Sequence, residues 1–326
     1  MFFDRERELK WLLKFVSTEP NLITFIYGPI NSGKSSLMVE FIKRLPEEYV
    51  TFYINLRGRF IRSEDFIKVL FSVKDGSLKD LLGELLRTGL SYGGIPVPER
   101  ILKKLLEDEN EDPFLFLENY FRSLVEKEKK PVLILDELQV IGDLKLDGPL
   151  IYRLFNFFVR LAKETHLSHV FLVTSDSLFI ERIYNEAMLQ GRAEYFLVDD
   201  FEREIALEFL RYQGLNDEEA ELIWNYFGGK PVYLVEAPKH KDELRKWCER
   251  MLRLRVQSLN ALIHGKRNLV NLLKKSEDNE SIPFDGRIDR ALKELIRANV
   301  LFIDPLNGIV RPQGRLELLA IREVLK

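Results

Sequence analysis

The sequence has little of what export, membrane insertion or zinc binding requires. Its one cysteine, Cys248, cannot form an internal disulfide, and no Cys/His cluster has the spacing of zinc ligands. No run approaches the roughly 18–20 uncharged apolar residues that span a bilayer, and the N-terminus is charged where a signal peptide would be apolar. We therefore expect a cytoplasmic protein that does not contact a membrane.

Net charge is also small, but it is unevenly distributed along the 326 residues. The net charge is −3 at pH 7. Residues 241–326 hold 18 basic and 12 acidic side chains, which leaves 31 basic and 40 acidic ones in residues 1–240. An acidic body therefore carries a basic tail, and the tail suits either a phosphate backbone or docking onto the body.

Short apolar runs, rich in β-branched and aromatic residues, predict buried strands separated by helical segments. The runs are 22–27, 50–56, 132–135, 170–174 and 195–198. This alternation is typical of a parallel sheet covered on both faces, so the predicted class is α/β with a five-stranded parallel sheet. The second and third runs are about 75 residues apart, which is more than one crossover needs. We expect a helical insertion at about 60–128.

After about residue 200 the pattern becomes helical, and it closes with a hairpin signal. Two β-rich runs, 300–304 and 309–311, flank a turn that contains Asn-Gly. Helices followed by one hairpin are the outline of a winged helix-turn-helix. The sequence thus predicts an α/β core at 1–200, a helical segment at 201–240 and a winged-helix domain at 241–326.

A P-loop pattern, G-x-x-x-x-G-K-[ST], lies between the first predicted strand and a predicted helix. Its glycines let successive backbone N–H groups point inward, and the helix N-terminus adds positive dipole, so the loop cradles phosphate oxygens. Lys34 would reach the β and γ phosphates, and the Ser35 hydroxyl would coordinate Mg²⁺. The predicted nucleotide-binding residues of this segment are Gly28, Pro29, Ile30, Asn31, Ser32, Gly33, Lys34, Ser35 and Ser36.

The third predicted strand delivers two carboxylates at its carboxyl end, where ligands bind open α/β sheets. Asp136 would hold Mg²⁺, mainly through water, and Glu137 would polarise the attacking water as general base. An apolar run that ends in Asp-Glu is common by itself, but behind a P-loop it indicates a nucleotide-hydrolysing site. A GTPase is disfavoured, because the guanine-reading element Asn-Lys-x-Asp does not occur.

Two further catalytic candidates each have an ordinary alternative. Ser175 follows the fourth strand and could orient water beside the γ-phosphate, or it could belong to a helix cap. Arg192 precedes the fifth strand and could neutralise transition-state charge, in cis or from a neighbouring subunit, or it could be a surface arginine. The sequence leaves both pairs of alternatives open.

Four features together resemble the archaeal ATPase family, in the STAND branch of AAA-type P-loop NTPases. They are the opening F-F-D-R-E-R-E-L at 2–9, the Walker A and B elements at 28–35 and 133–137, the Gly-Gly-Lys-Pro element at 228–234, and Gly-Arg at 191–192. The resemblance covers about residues 2–238. It implies an ATPase core of five parallel strands, an ATP/ADP switch, and a C-terminal winged helix.

The resemblance also implies where the nucleobase binds. Phe3 and Arg5 belong to the opening element, which lies near the adenine in relatives. Pro231 belongs to the Gly-Gly-x-Pro element of a helical lid, here residues 201–240, and its counterpart packs at the base in similar proteins.

The predicted helix 286–299 has one basic face and one apolar face. Its basic arc consists of Arg287, Arg290, Lys293 and Arg297. Such a face suits a recognition helix on a phosphate backbone, with the hairpin as a second contact. However, acidic residues flank the arc and the hairpin tip has no Lys or Arg, so docking onto the body, a protein partner or self-association is the alternative.

The sequence therefore predicts a Mg-dependent, slow ATPase that acts as a switch, in which nucleotide state sets the position of the lid and the winged helix. The alternative is an ATP-regulated DNA-binding regulator or mobile-element helper, which would bind DNA through residues 285–312.

Overall fold

The computed structural model describes residues 3–57, 63–108, 110–140, 149–184, 189–277 and 281–326. Its strands are β1 (Ile23–Tyr27), β2 (Tyr49–Asn55), β3 (Phe71–Val73), β4 (Leu90–Tyr92), β5 (Ile95–Val97), β6 (Lys130–Asp136), β7 (His169–Thr174), β8 (Ala193–Leu197), β9 (Ile282–Pro283), β10 (Leu301–Asp304) and β11 (Ile309–Pro312).

Its α-helices are α1 (Glu6–Val16), α2 (Lys34–Lys43), α3 (Leu78–Thr88), α4 (Glu99–Glu107), α5 (Pro113–Val125), α6 (Pro149–Val159), α7 (Ser177–Tyr184), α8 (Arg203–Tyr212), α9 (Asp217–Phe227), α10 (Pro231–Glu236), α11 (Leu244–Ile263), α12 (Arg267–Glu277), α13 (Arg290–Arg297) and α14 (Arg315–Leu325). Turns of 3₁₀-helix occupy Ser63–Leu70 and Ala237–Glu243, and a π-helical turn, Arg160–Glu164, follows α6.

The body is built on one parallel sheet in the order β4-β2-β6-β7-β1-β8. The α/β class is confirmed, but the prediction of five strands was wrong, because β4 adds a sixth at the edge, with Leu90 opposite Thr51. β4 is three residues long, and its Tyr92 is 57% exposed. A short, half-polar edge strand lacks the apolar run by which the other five strands were recognised.

Both faces of this sheet are covered, as the apolar runs predicted. Successive residues of one strand face opposite sides. Phe25 and Leu133 belong to the apolar cluster that also contains residues of α5 and α6. Their neighbours Ile26 and Ile134 belong to the cluster that contains residues of α1 and α2. The carboxyl edge of the sheet is therefore fixed between two packed layers.

The segment between β2 and β6, predicted as a helical insertion, is mixed. Its described residues include the helices α3, α4 and α5 together with three short strands. β3 and β5 form a separate parallel pair, and β4 joins the main sheet. Residues 60–62 and 109 of the predicted insertion lie outside the described residues.

The helices after β8 pack as a third apolar cluster, formed by α8, α9 and α10 with the start of α11. Asn216 and Glu219 form a reciprocal capping box that begins α9. Beyond these helices, the predicted hairpin is confirmed: β10 and β11 pair antiparallel, and β9 adds a third strand beside β11. Among the described residues, no helix is long and apolar enough to cross a membrane.

The predicted helix 286–299 is shorter in the structure. It begins after Asp289, whose side chain accepts a hydrogen bond from the backbone N–H of Leu292, and it ends at Arg297. Arg287 therefore precedes the helix. The winged helix-turn-helix assignment stays a prediction for this arrangement of α11, α12, α13 and a three-stranded antiparallel sheet.

Candidate functional site

The P-loop connects the carboxyl end of β1 to the first turn of α2. Three residues of the loop have positive φ: Gly28 (155°), Asn31 (61°) and Gly33 (92°). A Cβ on Gly28 would lie 2.1 Å from the carbonyl oxygen of Val198, so only glycine fits against the chain that leaves β8. The loop thus turns back on itself beside the sheet edge, and α2 begins at Lys34 with its N-terminus toward the cavity.

Lys34 is 7% exposed and lies inside the turn of the loop. Its ammonium group donates hydrogen bonds to the carbonyl oxygens of Gly28 (3.0 Å) and Pro29 (2.7 Å). Burial lowers the pKa of Lys34 to about 7, and the nearby ammonium of Lys230 acts in the same direction. A buried ammonium at this position is suited to binding an anion.

Asp136 ends β6, is 1% exposed and is held in one orientation. The hydroxyl of Tyr53 donates a 2.6 Å hydrogen bond to its Oδ2, and the backbone N–H of Glu137 donates a 2.9 Å hydrogen bond to its Oδ1. Burial, together with the adjacent Asp136 carboxylate, raises the pKa of Tyr53, which keeps this phenol protonated as a donor. Tyr53 was not predicted, because only the parallel register of β2 and β6 brings it to Asp136.

Glu137 follows Asp136 with a positive φ of 62°, which turns its side chain into the cavity. Its carboxylate forms an ion pair with Arg57 and accepts a hydrogen bond from the amide of Gln139. Arg57 is largely exposed, whereas Glu137 is buried. Neither Arg57 nor Gln139 was predicted as a partner of Glu137.

Gln139 connects the carboxylates to the end of β7. Its Oε1 accepts a 2.8 Å hydrogen bond from Thr174, and its Nε2 lies 3.4 Å from the hydroxyl of Ser175. Ser175 lines the same cavity as Glu137. The cap of α7 is made by Asp176, whose Oδ1 accepts hydrogen bonds from the first turn, so Ser175 is not the capping residue.

The other wall of the cavity is apolar. The Phe3 ring packs edge-on against Phe209, with centroids 4.9 Å apart, and both line the cavity. Pro231 opens α10, and its Cγ lies 3.9 Å from where a Cβ on Gly33 would be. Phe201, Val232 and Val235 complete this wall.

Arg5 joins the N-terminal segment to the P-loop. Its guanidinium donates hydrogen bonds to the carbonyl oxygens of Ser32 (2.9 Å) and Asp199 (2.7 Å), and it pairs with Glu8. It also lies over the ring of Phe201, 4.4 Å from the centroid. Arg5 borders the cavity, but its described partners are protein groups.

The Gly-Gly-Lys-Pro element brings α10 close to the end of the sheet. The N–H of Phe201 donates a 2.9 Å hydrogen bond to the carbonyl of Gly229. A Cβ on Gly229 would lie 1.7 Å from the Phe201 carbonyl oxygen, so this approach of two backbones requires glycine.

Among the predicted site residues, Arg192 lies at the opposite edge of the sheet from the cavity. It precedes β8, and its carbonyl accepts a 3.0 Å hydrogen bond from the N–H of Ile23 at the amino end of β1. The P-loop follows the opposite end of β1, which is roughly 16 Å away for a five-residue strand. This position does not favour a contact in cis, because parallel strands place their starts and ends at opposite sheet edges.

One cavity of about 350 Å³ thus collects the phosphate loop, both carboxylates, Ser175 and the apolar wall. Ser35 and Asp136 supply hydroxyl and carboxylate oxygens to it, which are the donors that Mg²⁺ prefers. Within the described ranges, no group of three or more His, Cys, Asp or Glu side chains could hold a metal alone. The donor set therefore fits an ion that is completed by phosphate and water.

A family model described as an ATPase domain predominantly from Archaea matches residues 2–237. The chain belongs to this family. The resemblance to archaeal ATPases is thereby confirmed. A second model, described as the C-terminal domain of the MJ1010-like uncharacterized ATP-binding proteins, matches residues 241–325.

Two ATP-binding proteins of Pyrococcus abyssi are similar to this archaeal ATPase-family chain over its whole length. One is 54% identical and the other 56% identical, and each match covers 100% of this chain and 99% of the relative. A solved structure of a Walker-type ATPase of Pyrococcus abyssi has the same fold, with a TM-score of 0.63 at 18% identity. That match covers 98% of this chain and 96% of the other.

Proposed function

We propose that this protein is an ATPase that binds ATP in the cavity, hydrolyses it slowly and acts as a switch. The observation that carries the proposal is the convergence of Lys34, Asp136 and Glu137 around one cavity at the carboxyl edge of the parallel sheet. The names of the relatives and the family description support ATP as the nucleotide.

Each side chain has a role that follows from its position. Lys34 and the backbone N–H groups of the loop bind the β and γ phosphates, and the N-terminus of α2 adds its dipole. Ser35 and Asp136 would hold Mg²⁺, which when bound neutralises charge on the phosphate oxygens. Gly33 and Ser36 complete the phosphate-binding segment.

The oxygen of the attacking water bonds to the γ phosphorus while Glu137 accepts a proton from that water. The bond between the γ phosphorus and the β–γ bridging oxygen breaks, and ADP leaves with that oxygen. Ser175, linked to Glu137 through Gln139, orients that water. Both carboxylate oxygens of Glu137 already have partners in Arg57 and Gln139, which supports slow turnover.

The apolar wall formed by Phe3, Phe209 and Pro231 suits a nucleobase, because flat aromatic and apolar groups there can cover its faces. Arg5 supports this wall from behind by holding the P-loop and Phe201 together. We assign residues 1–200 to the ATPase core, 201–240 to the lid and 241–326 to a winged-helix domain. Arg192 would act only in trans, on a nucleotide bound by a second copy of the chain.

Isothermal titration calorimetry with ADP and ATP tests the nucleotide site. Lys34→Ala should abolish measurable binding, because the phosphates lose their buried ammonium. Lys43→Ala in the same helix is the matched control, since the Lys43 side chain is 67% exposed. Wild-type protein that binds neither nucleotide would refute the proposal.

The exposed basic residues near α13 favour a second candidate function, the binding of DNA. Arg287, Arg290, Lys293 and Arg297 are exposed, and among the described residues none of them forms an ion pair. The opposite face of α13 is buried. The hairpin contacts the body through an ion pair between Arg311 and Asp199, and α13 packs against α7 of the body while its basic side chains stay exposed. The basic face is thus accessible to a phosphate backbone.

A further inference from the structure

Two residues from outside the P-loop form hydrogen bonds with the backbone of Ile30, one with its N–H and one with its carbonyl oxygen. Its backbone N–H donates a 3.2 Å hydrogen bond to Oε1 of Gln313. Its carbonyl oxygen accepts a 3.1 Å hydrogen bond from the ammonium of Lys230. Lys230 precedes α10 of the lid segment, whereas Gln313 lies between β11 and α14 in the C-terminal region. The C-terminal region therefore touches the phosphate loop directly.

Gln313 is built rigidly into the C-terminal region. It is 2% exposed, its backbone N–H donates to the Val300 carbonyl (3.0 Å), and its Nε2 lies 3.4 Å from the Leu301 carbonyl. The next residue, Gly314, lies against the aliphatic part of Lys230, since a Cβ there would be 2.5 Å from Lys230 Cε. Movement of the hairpin would therefore carry Gln313 away from Ile30.

Two further polar contacts hold the hairpin on the body around the same loop. Tyr27, the residue before the loop, donates a 2.9 Å hydrogen bond from its hydroxyl to Asp304 in β10. Arg311 in β11 pairs with Asp199 at 2.7 Å. The same Asp199 accepts, through its carbonyl, the hydrogen bond from Arg5. The docked hairpin and the P-loop thus share neighbours.

We propose that Gln313 is a positioning residue of the nucleotide site, which holds the P-loop in its binding conformation only while the C-terminal region is docked. The inference rests on the proposed function and names the contact that couples nucleotide state to the position of the C-terminal region. The loop contains a left-handed Asn31 beside Ile30, and a preordered loop binds phosphate without a further ordering cost. By linkage, a bound nucleotide must strengthen docking by the same factor.

Gln313→Met tests the contact, because methionine is similar in length but cannot accept the hydrogen bond of Ile30. The Kd for ADP should rise by roughly five- to thirty-fold, toward the lower end of the cost of leaving an N–H without an acceptor, because Ile30 is only partly buried. The matched control is Gln257→Met, since Gln257 is exposed in α11 of the same region, and its Kd should not change. In steady-state assays, KM for ATP should rise while kcat stays within about twofold, because Glu137 and its partners are untouched.

Hydrogen exchange supplies a readout that a purely structural role of Gln313 would not move. In the wild type, ADP should slow amide exchange in Leu301–Asp304 and Ile309–Pro312, which are remote from the phosphate cradle in sequence. In Gln313→Met this response should be lost. Unfolding midpoints without nucleotide establish that the variant is folded.

Arg311→Ala is the second variant, and it loosens docking without touching Ile30. It should also raise the Kd for ADP, by less than Gln313→Met does. The inference is overturned if both variants bind ADP with wild-type affinity, or if ADP leaves exchange in the hairpin unchanged in the wild type. Wild-type protein that binds no nucleotide overturns the proposed function and this inference together, whereas normal binding by the variants overturns only the inference.

Discussion

The hydroxyl of Tyr53 donates a 2.6 Å hydrogen bond to Oδ2 of Asp136 across the β2–β6 pair. This contact orients the carboxylate that we propose as a holder of Mg²⁺. The other oxygen of Asp136 is engaged by the N–H of Glu137, so the two Walker B residues are fixed relative to each other. Asp136 is oriented by a residue of the neighbouring strand β2. A substitution of Tyr53 can remove this hydrogen bond without altering either carboxylate.

Tyr53→Phe should therefore weaken Mg²⁺ binding while sparing the carboxylates. Partners that orient metal ligands typically contribute about tenfold or more to metal affinity. The Mg²⁺ concentration for half-maximal ATPase activity should rise by about tenfold, with ADP affinity in EDTA unchanged. Tyr49→Phe is the matched control, because Tyr49 is also in β2 but donates to the Val16 carbonyl. Equal Mg²⁺ dependence in the two variants would contradict the role of Tyr53.

Glu137→Gln should separate binding from turnover. The amide keeps the size of the side chain but cannot take the proton of the attacking water, so hydrolysis should fall by about 10²-fold or more while ATP still binds. Single-turnover hydrolysis and calorimetry measure the two quantities. Glu128→Gln, at an exposed position before β6, is the control. Unchanged hydrolysis in Glu137→Gln would remove Glu137 from the role of general base.

His169 should make the fold sensitive to acid. It is 2% exposed at the start of β7, and burial lowers its pKa to about 4, whereas an unfolded chain has its ordinary value near 6.5. Between these two values only the unfolded state binds the proton. The contribution of His169 to the free energy of unfolding is therefore fully present above about pH 6.5. It is lost as the pH falls toward about 4, which lowers the free energy of unfolding by roughly 3 kcal/mol.

Urea unfolding at several pH values between 7 and 4 measures this loss. The variant His169→Phe retains an aromatic ring between Phe15 and Phe171 but has no titrating group. Its free energy of unfolding should decline less steeply over this range. His264→Gln serves as the exposed control, and its profile should follow the wild type. Parallel profiles for the wild type and His169→Phe would show that His169 is not the source.

Salt dependence of DNA binding tests the second candidate function. The logarithm of the binding constant for duplex DNA should fall linearly with the logarithm of salt concentration, and Arg290→Ala with Lys293→Ala should reduce the slope by about 2. Lys274→Ala with Lys275→Ala removes the same charge from exposed positions of α12 and should change the slope less. The absence of any DNA shift at low salt, with ADP or ATP present, would rule this function out.

The proposed phosphate- and metal-binding residues could be named from the sequence because they are close together in the chain. The glycines, Lys34 and Ser35 of the P-loop lie within the segment 28–35, and Asp136 and Glu137 are consecutive. Both elements can therefore be recognised from local spacing alone. The two-sided burial of the sheet was predictable for the same reason. Near-continuous apolar runs of four to seven residues are buried only when both faces of a strand are covered.

The partners of these residues were not predictable, because they come from distant parts of the chain. Tyr53 and Gln139 contact the carboxylates through strand register and a turn, and neither belongs to a motif. Arg192 matches a motif of the family by its position in the sequence. In the structure, however, it lies at the amino edge of the sheet, away from the cavity. The short edge strand β4 was not predicted, because a strand of three residues, part of them polar, shows no recognisable periodicity.

By itself, the sequence determined the family and the α/β class, and it predicted the residues that we propose to bind phosphate and metal, since these depend on short-range patterns of residue type. Only the tertiary structure decided that a sixth strand closes the edge, that the basic face of α13 is exposed, and that Gln313 holds Ile30 across a separation of 283 residues. Such relationships depend on how strands register and how helices pack. Strand register and helix packing are set by the combined burial of many side chains from distant parts of the chain. No local sequence pattern specifies that combination.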